Sequence, residues 1–188
     1  RPEHGGYGID PLKPRITLES QLEQLGRNAM TRAALADATA WVMPTEHQAN
    51  SLPKEFRDQR LHLIHEGIDT QLAQPNPAVK FALRDITIDP SVPTITLVNR
   101  NLERLRGFDV FMRALPSILS SQPHARVLIV GDNEAGYGGE GGAISLRERM
   151  LKELEGKLDL NRIHFLGRIP HPQLMAVLQA SWVHVYLS

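Results

Sequence analysis

The chain has 188 residues, with 21 lysines and arginines against 21 aspartates and glutamates, a formal net charge of zero. A protein whose main partner is DNA or RNA needs a basic surface, so this balance argues against nucleic-acid binding, though a small phosphate ligand needs only a few local charges. The absence of cysteine excludes disulfides, thiolate zinc sites and cysteine nucleophiles. It also agrees with the cytoplasmic address expected here. No apolar run has the length of a membrane span, and nothing resembles a signal peptide.

In chain order, residues 1–16 are rich in Gly and Pro and read as loop. Leu18, Leu22, Leu25, Ala29 and Ala33 fall at three- and four-residue spacing, which predicts a helix over 17–36. Trp41-Val42-Met43 reads as a short strand stopped by Pro44, and Thr45 can cap a short helix towards Leu52. Arg60 to His65 alternates as a strand and runs into the tight turn Glu66-Gly67-Ile68-Asp69-Thr70. Residues 71–92 hold Pro75, Pro77 and Pro90, with Phe81 and Leu83 as the main apolar points, and read as a linker.

From Pro93 the pattern is regular. Thr94 to Val98 is a strand of the buried kind. Phe108, Phe111, Met112, Leu115, Ile118 and Leu119 form one helical face, in which Pro116 is expected to kink the helix and Pro123 to end it. Arg126 to Val130 is the next strand, and a Gly-rich loop leads to a charged helix over 145–158, with Leu146, Met150, Leu151 and Leu154 inward. Arg162 to Gly167 is a strand, Pro172 to Ala180 a short helix and Val183 to Leu187 a final strand. Strands and helices in alternation predict an α/β fold: right-handed βαβ units around a parallel sheet covered on both faces.

Ligands of such sheets bind beyond the carboxyl ends of the strands. That rule singles out residues 99–107, 131–144 and 167–171. The first loop, within NRNLERLRGFDVF, carries Arg100, Arg104 and Arg106 and meets a helix near Gly107. Two guanidiniums beside the free amides of a helix start suit a diphosphate, and Gly107 permits a close backbone approach. By spacing alone a second reading stands beside this one, in which the arginines lie on a solvated surface loop and pair with Glu103 or Asp109. The loop from Gly131 to Ser145 lacks the Gly-Lys-Ser/Thr ending of a P-loop and reads as a connector or a lid. The eight histidines lack the helical pairing of a zinc hydrolase and are read as structural, so no metal is expected.

The residues resemble a known family in their order. Ala36-Asp37 precedes a strand, His65-Glu66-Gly67-Ile68-Asp69 forms a turn, and Asn99-Arg100 and Arg106-Gly107 bracket a loop. Val130-Gly131-Asp132 and Ile163-His164-Phe165-Leu166-Gly167-Arg168-Ile169 follow. This set is similar to the retaining nucleotide-sugar glycosyltransferases of family 4, the glycosyl transferases group 1, with the GT-B fold of two facing Rossmann-like domains. The resemblance covers about residues 27–188. It implies a division into 1–70, the end of an acceptor domain; 71–92, a linker; and 93–188, the first part of a donor domain. It further implies that Arg100 and Arg106, with Gly107, hold the donor diphosphate, and that Gly167, Arg168 and Ile169 form the loop whose backbone meets the nucleotide base. Asn99 replaces the family's glycine and Arg106 its lysine, which keeps the charge and alters its geometry. Arg104 has no counterpart and is expected to face solvent.

The expected activity is transfer of a sugar, hexosyl in type, from a nucleotide diphosphate to a glycan, lipid or small-molecule acceptor, with no separate cofactor. The alternatives are a GT-B nucleotide-sugar epimerase and a non-catalytic α/β nucleotide-binding module. The family's catalytic Glu, seven residues, Glu pair is expected after Ser188, so the chain reads as the middle of a longer enzyme and is expected to be inactive alone. Peripheral membrane contact is left to the rest of that enzyme. The oligomeric state leaves no mark in the sequence.

Overall fold

The computed structural model describes residues 17–133 and 144–187. It divides into two compact units, Arg1–Ile68 and Asp69–Ser188.

The first unit is built from helix α1 (Leu18–Asp37), strand β1 (Trp41–Met43), helix α2 (Glu46–Ser51), a 3-10 turn (Lys54–Phe56) and strand β2 (Leu61–Leu63). β1 and β2 pair in parallel, Trp41 opposite Leu61. Thr45 caps α2 as its position suggested, its hydroxyl accepting from the Gln48 amide at 3.2 Å. Leu35, Trp41, Leu52 and Phe56 form a small core. Trp41 anchors it. The indole N–H donates to the Phe56 carbonyl at 3.0 Å, the two rings meet edge to face, and the Arg60 guanidinium covers the indole at 4.3 Å. α1 forms over nearly the predicted residues, yet Leu18, Leu22 and Leu25 are exposed within this unit and Leu35 is the α1 residue that reaches its core.

The second unit opens with an antiparallel hairpin, β3 (Phe81–Leu83) and β4 (Ile86–Ile88), joined by Arg84-Asp85. Then come β5 (Thr94–Asn101), a 3-10 turn (Arg104–Arg106), α3 (Phe108–Ser121), β6 (Arg126–Asp132), α4 (Leu146–Glu153), a 3-10 turn (Leu160–Arg162), β7 (Ile163–Gly167), α5 (His171–Gln179) and β8 (Val183–Val185). β5 to β8 make one parallel sheet in the order β7-β6-β5-β8. The α/β expectation with a Rossmann-like parallel sheet therefore holds.

The apolar runs are continuous because both faces of the sheet are covered. Val127 and Ile129 of β6 pack with Leu97 under α3 and α4, against Phe108, Phe111, Met112, Leu115 and Met150. Leu128 and Val130, the alternate residues, pack with Leu166 under α5 and the hairpin, against Val177, Leu83 and Ile88. α3 runs through Pro116 to Ser121. Its C-terminal carbonyls are collected by one side chain: Arg162 donates to the carbonyls of Leu119, Gln122 and Pro123, each at 3.1 Å. A cation is favoured there by the helix dipole as well. The Ser145–Glu148 capping box starts α4.

The hairpin replaces the linker expected over its part of 71–92. Its Leu83 and Ile88 are buried in the second unit's core, and Arg126 pins its far end, donating to the carbonyls of Thr87 and Asp89 and to Thr94 Oγ1. Upstream, the Gln179 side-chain amide of α5 donates to the Gln74 carbonyl at 2.9 Å. Among the described residues no helix is long and apolar enough to cross a membrane.

Candidate functional site

The chain passes from β5 by α3 to β6 and by α4 to β7, always in one direction across the sheet. It then returns by α5 to place β8 on the other side of β5. The reversal between β5 and β8 opens the crevice where ligands of such sheets bind. The loop 99–107 stands at that crevice.

β5 runs three residues beyond its expected end. Its ladder with β6 shifts register between Val98 and Asn101, which pairs with Asp132. Gly131 makes the shift feasible: with φ at +153°, it approaches so closely that a Cβ there would lie 2.7 Å from the Asn99 carbonyl. A bulge of this kind re-aims side chains, and Arg100 emerges exposed at it. Leu102 returns inward, its amide donating to the Asp132 carbonyl at 2.8 Å. Asn99 closes the neck of the loop, its side-chain amide donating to the Arg106 carbonyl at 3.5 Å. Gly107 then takes φ 67° and starts α3 with no side-chain cap. A Cβ on Gly107 would stand 2.5 Å from Leu187 Cβ, so the loop touches the segment after β8.

Arg100, Arg106 and Gly107 are thus on one loop at the carboxyl end of β5. Arg106 Nε lies 3.9 Å from Glu103 Oε1, one of the pairings that the spacing allowed the arginines. Asp109 is not their partner. It is buried in the first turn of α3, where Oδ2 accepts from Arg113 Nη1 at 2.8 Å and Oδ1 has no hydrogen-bond partner. Arg113 also binds both carboxylate oxygens of Glu153 in α4, at 2.7 and 3.0 Å, and the two carboxylates raise its pKa further. Arg104, expected to face solvent, is half-buried instead, and its charge helps to hold the Glu153 carboxyl low behind the larger effect of Arg113.

Gly167, Arg168 and Ile169 follow β7. Gly167 has φ 62° and Arg168 is exposed. Between the two loops sits Asp132, a residue to which the sequence reading gave no role. Its carbonyl holds Leu102 of the first loop and its carboxylate holds Arg168 of the second, Oδ2 to Nε 3.0 Å. The ordered pair Gly131-Asp132 at the end of a strand was the available signal. Most of the Gly-rich loop, residues 134–143, lies outside the described residues. Among the described residues no three metal-ligating side chains gather.

The model of the glycosyl transferases group 1 matches residues 80–188, and that of the glycosyl transferase family 4 group matches residues 1–73. The chain belongs to the glycosyl transferases group 1. Among curated relatives of this family, a D-inositol 3-phosphate glycosyltransferase of Segniliparus rotundus is 23% identical over 151 residues, which is 78% of this chain and 33% of the relative. Among solved structures, sucrose-phosphate synthase from Thermosynechococcus elongatus is 19% identical, with a TM-score of 0.64, over 85% of this chain and 37% of that one. The second comparison speaks for a shared fold. The chain spans about a third of the length of each of these two relatives.

Proposed function

We propose that the chain is part of a retaining glycosyltransferase that moves a hexosyl group from a nucleotide diphosphate to an acceptor hydroxyl. Residues 1–70 would belong to the acceptor domain and 93–188 to the donor domain, with the hairpin 81–88 joining the donor side. Arg100, Arg106 and Gly107 hold the diphosphate in this reading, and Gly167, Arg168 and Ile169 meet the base. The enzyme is taken to be cytoplasmic. What supports it most is the position of one loop: in a chain of this family, the two cationic side chains stand at the sheet's reversal point, beside the uncapped start of α3.

As the bond from the sugar to the diphosphate breaks, negative charge grows on the leaving oxygens. Guanidiniums and amides fixed in advance stabilise that charge without reorganising. They supply the charge that the step needs, so the proposal assigns no metal to it. Replacing Arg100 and Arg106 together by Ala in the full-length enzyme should lower turnover by about a hundredfold or more. Release of nucleoside diphosphate and labelling of the acceptor are the measurements. Undiminished turnover in the double variant would sink the assignment, and a product that is an epimerised nucleotide sugar would sink the transfer itself.

A further inference from the structure

Among the described residues Arg84 is the sole non-glycine with positive φ, 57°. It is the first residue of the two-residue turn between Leu83 and Ile86, a place where positive φ belongs to glycine. The side chain crosses to the carboxyl end of β7. Nη1 donates to the Phe165 carbonyl at 3.3 Å, and Nη2 lies 3.5 Å from where a Cβ on Gly167 would be. It is exposed and, among the described residues, has no ionic partner.

A structural role explains little of this. Arg126 and Arg162 show what structural arginines do in this unit, each gathering several backbone carbonyls. Arg84 makes one long bond from an exposed position and strains its own backbone to make it.

The geometry points to Arg84 as a specificity residue for the donor's base, an inference that rests on Gly167–Ile169 being the base loop. A guanidinium is a donor only. Held beside that loop, it favours a base whose edge offers a carbonyl oxygen, uracil or guanine, over adenine, which has no carbonyl: its acceptors are ring nitrogens and its exocyclic amine is itself a donor.

The test is calorimetric titration of the full-length protein with UDP, GDP, ADP and inorganic diphosphate. The native protein should bind UDP or GDP about tenfold or more tighter than ADP, the size expected of one charged hydrogen bond. Arg84→Ala should bring that difference within about threefold while the affinities for ADP and inorganic diphosphate stay unchanged. Arg84→Gly puts the turn's preferred residue in place. It should melt no lower than the native protein and show the same loss, which separates a lost contact from a loosened hairpin.

A preference that survives in both variants, a native preference for ADP, or a uniform weakening of all four ligands overturns the role of Arg84 and leaves the donor site standing. A native protein that binds none of the nucleoside diphosphates overturns the donor-site reading and this inference with it.

Discussion

The two units use the same alternation of helix and strand and bury it differently. In the second, Leu97, Val127, Leu128, Ile129, Phe108 and Val177 are fully buried, and neighbouring residues of β6 serve opposite faces. In the first, among the described residues, four buried side chains make the core cluster, and the leucines of α1 stand 59–72% exposed at Leu18, Leu22 and Leu25. Apolar spacing therefore says which residues share a face. It does not say whether anything covers that face.

Phe108→Ala against Leu22→Ala puts the contrast to its hardest test. Phe108 is fully buried at the start of α3, and its truncation should cost about 3–5 kcal/mol in denaturant unfolding. Leu22→Ala should change stability by no more than about 0.5 kcal/mol. A loss above about 1.5 kcal/mol at Leu22 would show that the α1 stripe is covered in the protein as it exists. The glycines repeat the contrast on a smaller scale. A methyl on Gly131 meets the Asn99 carbonyl and Leu102 Cδ2 at 2.7 and 2.9 Å in a positive-φ backbone, so Gly131→Ala should cost about 2–4 kcal/mol. It should also disturb the bulge that exposes Arg100. Gly67→Ala meets nothing within 4 Å and should lie within about 0.5 kcal/mol of the native protein.

The same contrast explains what the sequence made legible. The strands at Thr94, Arg126 and Ile163 were readable because burial leaves apolar runs; β8 was readable too, although Val183 and His184 at the sheet's edge are exposed. The hairpin 81–88 was not readable. Its strands are three residues long, prolines surround it, and its turn is Arg84-Asp85 where a Gly would announce a hairpin. The loop carrying Arg100 and Arg106 could be located from the strand before it and the helix after it. Its details could not. The bulge needs a backbone contact between Gly131 and Asn99, and the link through Asp132 reaches Leu102, thirty positions before it, and Arg168, thirty-six positions after it. No local pattern encodes such contacts.

The smallest expected effect concerns pH. His164 lies on β7, half-buried on the side of the hairpin, and burial lowers its pKa; the charge of Arg126 adds to this and that of Asp85 opposes it. Its folded value is therefore below the unfolded value of about 6.5. Between the two values the unfolded chain binds more protons, so stability rises with pH across that window and is lost as pH falls through the folded value. Solvent screening of this half-exposed group keeps the change small. The shifted groups of the first unit, Glu55 and Asp58, are carboxylates lowered by hydrogen bonds, and their contributions are lost only in more acid solution. Asp89, held at about 2 by the Ser91 amide, gives the hairpin a second loss at the acid end. Hydrogen exchange at pH 7.5 and pH 5, corrected for intrinsic rates, should show protection falling over residues 81–88 and 163–167 as the solution is acidified. In His164→Asn that dependence should vanish while protection at pH 7.5 remains. An equal pH dependence in the variant would assign the loss to another group and remove His164 from the contrast.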